Sequence, residues 1–338
     1  MIIKNTFDET STSLMSEIAD LYYNQGMTQQ EIARLYDCNR FKIAKMIQNA
    51  REEGIVEITI HKPDTRHPFL EQSLKDTFQL SNALVLDTRD FSRAEALSMI
   101  GKSSALYLEQ LLTPGSTIGV TWGKTICSVV SALEPKTQNP VHAVQLCGTF
   151  RHLNSADSSR SIAHAIAVKM NGDYFYLDLP LYINDEHARN TLLREPMIEN
   201  TLSHTRKMDV VLTGVGSRSS LPFSNPVLKP YLSETDLKEA NNCIGSIYGQ
   251  VIDQEGRIAN VSLNRKLVSA SLQDILTTPH KIAVAAGRHK VDILIACMKQ
   301  HYFNELITDR ATAEQLLAAI QHSTTLPSAS DSEGASFA

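Results

Sequence analysis

The sequence predicts two folded parts: a small N-terminal winged helix-turn-helix domain and a larger, mainly parallel α/β domain. Three observations carry that prediction. Between residues 69 and 320, apolar runs of strand length alternate with helical patterns, as in a parallel sheet covered on both faces. Residues 12–61 hold short, closely spaced helical patterns with a basic outer face. Between them lies His61-Lys62-Pro63-Asp64-Thr65-Arg66-His67-Pro68, polar and carrying two prolines. The expected boundaries are 1–61 for the first domain, 62–68 for a linker and 69–322 for the second domain. The Ser-rich segment 323–338 reads as a disordered tail.

In the first domain, Ile18, Leu21 and Tyr22 share one helical face, and Asn24-Gln25-Gly26 ends that helix. Thr28-Gln29-Gln30-Glu31 is a capping box, which opens a short helix with Ile32, Ala33 and Leu35. Asp37 stands in the turn, where a left-handed conformation is needed and Asp tolerates it better than most residues. Asn39 is the expected N-cap of a second helix, Arg40–Glu53, whose inner face is Ile43, Met46, Ile47 and Ala50. Its outer faces carry Arg40, Lys42, Lys45, Gln48, Asn49 and Arg51. Ile55–Ile60 alternates like a short strand and would form the wing.

A helix entering the major groove presents its first residues to base edges, while nearby cations neutralise phosphates. Arg40 and Lys42 suit guanine acceptors, Asn39 or Gln29 suits adenine or phosphate, and Phe41 suits a thymine methyl. Thr28 at the head of the preceding helix and Lys45 complete the expected DNA-binding set. A plain three-helix bundle would share the basic face; the agreement of cap, turn, packing positions and wing favours the DNA reader.

In the larger domain, Leu70, Leu74 and Phe78 form one helical face, and Ala83–Leu86 reads as a buried strand. Ser92 and Glu95 form a capping box opening a helix to Leu112, stopped by Thr113-Pro114-Gly115. Further strands are expected at Ser116–Val120, Val141–Leu146, Tyr174–Leu177, Asp209–Thr213, Lys281–Ala286 and Glu305–Thr308. Helices are expected at Ser159–Lys169, Ala188–Ser203 and Lys290–His301. Three strands run into glycine-bearing loops: Gly119–Thr125, Gly214-Val215-Gly216-Ser217 and Gly287-Arg288-His289-Lys290. In a parallel sheet such loops gather at the carboxyl edge, where backbone N–H groups, Thr hydroxyls and Lys ammonium groups suit a phosphate.

Composition and spacing exclude several classes. With 338 residues and 42% hydrophobic side chains, the chain can bury a sizeable core. The balance of 32 Lys+Arg against 37 Asp+Glu, net −5, argues against a DNA packager coated in positive charge. It leaves room for one local basic face, since residues 39–51 contain Arg40, Lys42, Lys45 and Arg51 and no acid. No apolar run approaches the roughly 18–20 residues that span a bilayer, and the N-terminus lacks a signal-peptide core, so a cytoplasmic, membrane-free protein is expected. Cys38, Cys127, Cys147, Cys243 and Cys297 are odd in number and scattered, which argues against disulfides or structural zinc. Gly123-Lys124-Thr125 mimics the end of a P-loop, but only three residues separate Gly119 from Gly123 where four are required. Gly214-Val215-Gly216 lacks the third glycine of a dinucleotide fingerprint, no H-x-x-x-H pair occurs, and no G-x-S-x-G occurs. No catalytic residue, metal or cofactor is expected. Asp253, between a strand and Gly256, reads by itself as a turn acid.

Taken together, the motifs resemble the SorC family of bacterial sugar-responsive transcriptional regulators over nearly the full length. The resemblance rests on Leu21-Tyr22-Tyr23, Met27–Ala33 and Ala50–Val56 in the first domain. In the second it rests on Gly119-Val-Thr-Trp-Gly-Lys-Thr125, Val144–Gly148, Asp209–Gly216 and Ile282–Lys290, continuing to Leu306–Asp309 and Ala313. It implies that the large domain has a sugar-phosphate isomerase/deaminase-like fold used as a sensor in tetrameric regulators. Carried over by position, Thr121, Gly123, Lys124 and Thr125 would hold a phosphate, beside the Gly148 and Gly214 loops. Asp253 would accept sugar hydroxyls, and Lys290 would add a cation. Asn39-Arg40 replaces the usual Ser-Arg, and Lys45 replaces Arg, which bears on the operator sequence. The expected function is regulation of a carbohydrate-utilisation operon, by binding a pseudo-palindromic duplex under control of a phosphorylated sugar. The alternatives are a sugar-phosphate isomerase or deaminase with an appended head, and a constitutive DNA-binding or scaffold protein.

Overall fold

The computed structural model describes residues 12–56, 66–136, 138, 140–149, 159–221, 223 and 226–324. The chain divides into two compact units, Met1–Asp64 and Thr65–Ala338. Most of the expected wing, the first part of the linker and residues 325–338 of the expected tail lie outside the described residues. Among the described residues no helix is long and apolar enough to cross a membrane.

The smaller unit contains α1 (Thr12–Tyr23), α2 (Gln29–Leu35) and α3 (Arg40–Glu52). Ile18, Ile32 and Ile43 are fully buried and, with Met15, Met46 and Ala50, make its core. Each buried Ile or Met among them stabilises the packed helices by about 1.5–3 kcal/mol. The Thr28 capping box forms, with the Thr28 amide donating to the Glu31 carboxylate at 2.8 Å. Asp37 takes the left-handed conformation at φ 50°, which turns the chain sharply between α2 and α3. Asn39 then caps α3, its Oδ1 accepting from the Lys42 amide at 2.9 Å.

The larger unit runs α4 (Pro68–Phe78), β1 (Asn82–Leu86), α5 (Arg93–Leu111), β2 (Thr117–Val120), α6 (Lys124–Ala132), β3 (His142–Gln145), α7 (Ser159–Lys169) and β4 (Tyr174–Phe175). It continues with α8 (Glu186–Leu192), α9 (Pro196–Thr205), β5 (Val210–Thr213), β6 (Val215–Ser217), α10 (Glu234–Glu239), β7 (Cys243–Ile247), β8 (Gln250–Asp253) and α11 (Ser262–Lys266). It closes with α12 (Leu272–Thr277), β9 (His280–Val284), α13 (Val291–Lys299), β10 (Glu305–Asp309) and α14 (Arg310–Thr324).

Seven strands form one sheet in the order β1-β10-β9-β5-β2-β3-β4, and every pairing in it is parallel. Alternate strand residues feed two separate cores, as a sheet buried on both faces requires. Leu84, Leu86, Ile118, Val120, Ile282 and Val284 meet α5, α6 and α7 on one face. Ala83, Val85, Val211 and Ala283 meet α4, α13 and α14 on the other. All seven strands of this sheet are legible as apolar runs in the sequence.

Two elements depart from expectation. The helix expected at Ala188–Ser203 is two helices, because Glu195 before Pro196 is extended and Pro196 opens α9 in its first turn. A second, antiparallel sheet, β6-β7-β8, projects from the end of β5 and packs on α13. Residues 66–68, read as the end of the linker, pack onto the larger unit. Arg66 bridges to Leu86 and binds the buried Glu71 carboxylate, whose Oε1 also accepts from the Val85 amide.

Candidate functional site

Two sets of residues stand out, one in each unit. In the smaller unit, Arg40, Phe41, Lys42 and Lys45 are exposed on α3, and Phe41 is 84% exposed despite its size. The Arg40 guanidinium donates to Gln29 Oε1 at 3.3 Å, so the first residue of α2 steers the first residue of α3. Asn39 and Thr28 spend their side-chain oxygens on capping. Their remaining role toward a ligand is that of Asn39 Nδ2 and of backbone groups near a helix start. The exposed face is therefore cationic with one large apolar side chain, a combination that suits phosphates and base edges.

In the larger unit, the carboxyl ends of β2, β5 and β9 open into a cleft of about 410 Å³. That volume lies in the range of metabolite pockets. Of the effector residues expected from sequence, Thr121, Gly123, Lys124, Thr125, Gly214 and Lys290 line it. Gly123 has φ +124°, which glycine adopts without strain, and it begins α6 with no side-chain cap. The first amides of α6 are thus left for an anion, with Lys124 and Thr125 beside them. The Thr121 hydroxyl lies 3.1 Å from the Thr213 hydroxyl and accepts from the Gly214 amide at 3.4 Å, which locks the β2 and β5 loops together. On the other side, the Gly287 amide donates to buried Thr312 Oγ1 at 2.8 Å and holds the β9 loop.

Gly148 and Asp253 lie outside this cleft. A Cβ at Gly148 would stand 2.5 Å from Pro180 O, so this glycine allows two backbone segments to approach. Asp253 terminates β8, and its carboxylate accepts from the Glu255 and Arg257 amides and from Arg257 Nε at 3.0 Å. Its neighbours make it the acid of the β8 turn, as its local sequence reads.

The cleft also contains residues that sequence reasoning passed over: Arg93, His289, Tyr248 and the hydroxyls of Ser217, Ser219, Ser220 and Ser246. Trp122 both packs on the core and lines the cleft. A serine run after a strand-end glycine loop is a usable signal, whereas Arg93 is recognisable only once α5 is placed. No carboxylate lines the cleft among the described residues. Burial pushes the Lys290 ammonium below its usual pKa and the Arg93 charge pushes it further, while Asp309 partly opposes both. The cleft is therefore electrostatically prepared for an anion, with hydroxyls and an indole to meet a polyol.

The comparisons with known proteins agree with this geometry. The Sugar-bind family model, described as "Putative sugar-binding domain", matches residues 65–318. The sorbitol operon regulator of Klebsiella pneumoniae is 29% identical over 306 residues, covering 90% of this chain and 97% of that protein. The deoxyribonucleoside regulator of Bacillus subtilis is 25% identical over 312 residues, covering 92% and 99%. The crystal structure of full-length SorC from Klebsiella pneumoniae superposes with a TM-score of 0.72, covering 93% of this chain and 100% of that one. The match spans the larger unit almost from end to end, and the chain belongs to the Sugar-bind family, within the SorC family of transcriptional regulators.

Proposed function

We propose that this protein is a DNA-binding transcriptional regulator of a carbohydrate-utilisation operon, controlled by a phosphorylated sugar bound in the cleft of its larger unit. The observation that carries this reading is one chain holding both a capped, basic recognition helix and a cationic, hydroxyl-lined cleft at a sheet's carboxyl edge. The relatives of matching length, a sorbitol operon regulator and a deoxyribonucleoside regulator, support the same class of role. In this reading the protein works in the cytoplasm as a sensor, without catalytic turnover, and as a homotetramer.

The sugar's phosphate sits on the α6 amides of Lys124 and Thr125, with Gly123 giving the backbone room and Lys124 supplying charge. Arg40, steered by Gln29, and Phe41 read base edges of a pseudo-palindromic duplex, while Lys42 and Lys45 meet phosphates. Half-sites then lie a helical turn, or a multiple of one, apart. Effector binding shifts operator affinity by favouring one arrangement of the large units over another.

The test is a thermal-shift screen of the full chain against hexose and pentose phosphates, followed by turnover assays on every stabilising compound. A selective stabiliser that is recovered unchanged is the expected result. Steady conversion of that compound would instead favour an isomerase or deaminase.

A further inference from the structure

At Arg66 the chain reaches the edge of the main sheet. β1 is an edge strand, and its outer side is taken by two residues. Arg66 bridges to Leu86, and the His67 amide donates to Val85 O at 2.8 Å. The Arg66 guanidinium grips Glu71 at two points, Nε to Oε1 at 3.0 Å and Nη2 to Oε2 at 2.7 Å. Glu71 is 5% exposed, and its Oε1 also accepts from the Val85 amide at 3.0 Å. A bidentate, charge-assisted pair of this kind fixes direction as well as distance. The start of the larger unit is thereby fastened to β1 and α4 together.

β1 is in turn tied to the loop after β9. In the register with β10, Leu86 stands beside Asp309. Asp87, the next residue, accepts from Arg310 Nη1 at 3.0 Å, and Asp309 Oδ1 accepts from the Thr312 amide at 2.7 Å. Thr312 is fully buried, and its Oγ1 accepts from the Gly287 amide at 2.8 Å. Gly287 opens the loop whose His289 and Lys290 line the cleft. Short bonds and one strand pairing thus run without a gap from the cleft loop to Arg66. Such a contiguous network carries coupling when one of its members has two arrangements. The Arg66–Glu71 pair is suited to be that member, because the Arg66 side chain is 43% exposed and can exchange the carboxylate for water. Resting on the sensor reading above, we infer that Arg66 is a positioning residue. Through Glu71 and the Asp87–Arg310 pair, it carries the state of the cleft to the segment that leads to the recognition helix.

The test uses the full chain and a duplex selected from a random library, with fluorescence anisotropy as the readout. Glucose 6-phosphate, fructose 6-phosphate, ribose 5-phosphate and deoxyribose 5-phosphate are the probes. An active probe should shift wild-type duplex affinity by about 5–150-fold. Arg66→Ala should keep the probe's calorimetric affinity and the unliganded duplex affinity within about twofold, yet lose most of that shift. Arg66→Lys, which can hold Glu71 at one point, should recover part of it. Adding Asp87→Asn to Arg66→Ala should cost little more, as within one network. If Arg66→Ala melts too low to assay, Arg66→Met with Glu71→Gln strands no buried charge and should show the same loss. Lys136→Ala is the control. It breaks a 2.8 Å pair with Glu109, a similarly shielded carboxylate that also accepts a backbone amide, and it should keep the full response. A full response in Arg66→Ala, or an equal loss in Lys136→Ala, would overturn the inference and leave the sensor reading standing. So would an Arg66→Ala chain that binds every unliganded duplex less well, since Arg66 would then be a phosphate contact. A wild-type chain whose duplex affinity ignores all four probes would overturn the sensor reading, and this inference with it.

Discussion

Gly101→Ala tests how far the cleft depends on the packing of the helices that build it. Gly101 is buried within α5 where that helix meets α6, and a Cβ there would stand 2.3 Å from Ser128 Oγ. The hydroxyl can rotate away, at the expense of its 3.1 Å bond to Leu97 O. The Ser128 carbonyl oxygen and carbon, at 2.8 and 2.9 Å, cannot rotate, so the two helices must separate. Overpacking of this kind costs about 1–3 kcal/mol, whereas Ala gains about 1 kcal/mol over Gly in a helix interior. The steric effect wins, leaving a net loss of up to about 2 kcal/mol. At roughly 2–4 °C per kcal/mol, melting of the larger unit should fall by up to about 8 °C in differential scanning calorimetry. Arg93 starts α5 and Lys124 starts α6, so the stabilising shift from added inorganic phosphate should shrink as well. An unchanged or raised melting temperature with a full phosphate shift would refute the claim that this helix contact sets the cleft.

Three further outcomes follow from single groups. Arg40→Ala should weaken binding to a selected duplex by about 5–150-fold and relax specificity at one base pair, measured by fluorescence anisotropy, with a smaller loss for Gln29→Ala. An equal loss on every sequence would reassign Arg40 to a phosphate. Lys290 has its pKa depressed by burial and by Arg93, and an anionic ligand favours its charged form. Phosphate affinity should therefore fall as pH rises through that depressed value, below the ordinary lysine range; a pH-independent affinity up to the ordinary range would contradict this. Asp236 would be raised by burial alone, but hydrogen bonds from Ser262 and Ser233 outweigh burial and lower it. Its stabilisation is present above the ordinary carboxylate pKa and is lost as pH falls through the depressed folded value. Asp236→Asn should flatten that part of the acid-unfolding curve, and an unaltered curve would remove Asp236 as its source.

The parallel sheet was legible because strands buried on both faces become continuous apolar runs, as in Val210–Thr213 and Ile282–Val284. The helix-turn-helix was legible because its caps are local: Thr28 with Glu31, and Asn39 with Lys42, stand three residues apart. In the β6-β7-β8 sheet only β8, the strand before Asp253, was legible; β6 and β7 were not, since they are short, interrupted by Gly216 and Gly245, and buried on alternate residues only. In the cleft, the glycine loops pointed to residues that each loop itself carries. Arg93 went unread because it belongs to a capping-box segment with an obvious local role. Its place on the same cleft lining as Lys290 arises from the fold, which brings together residues nearly two hundred positions apart.

The central claim is that a ligand in the cleft alters the grip of the recognition helix on DNA. It is tested most directly by the affinity of the full chain for a duplex selected from a random library, with and without a saturating stabiliser from the sugar-phosphate screen. A change of about 5–150-fold is expected, corresponding to a coupling of about 1–3 kcal/mol. Lys124→Ala should keep the unliganded affinity and lose the response. Equal affinity with and without ligand, in a chain whose cleft is demonstrably filled, would contradict the claim.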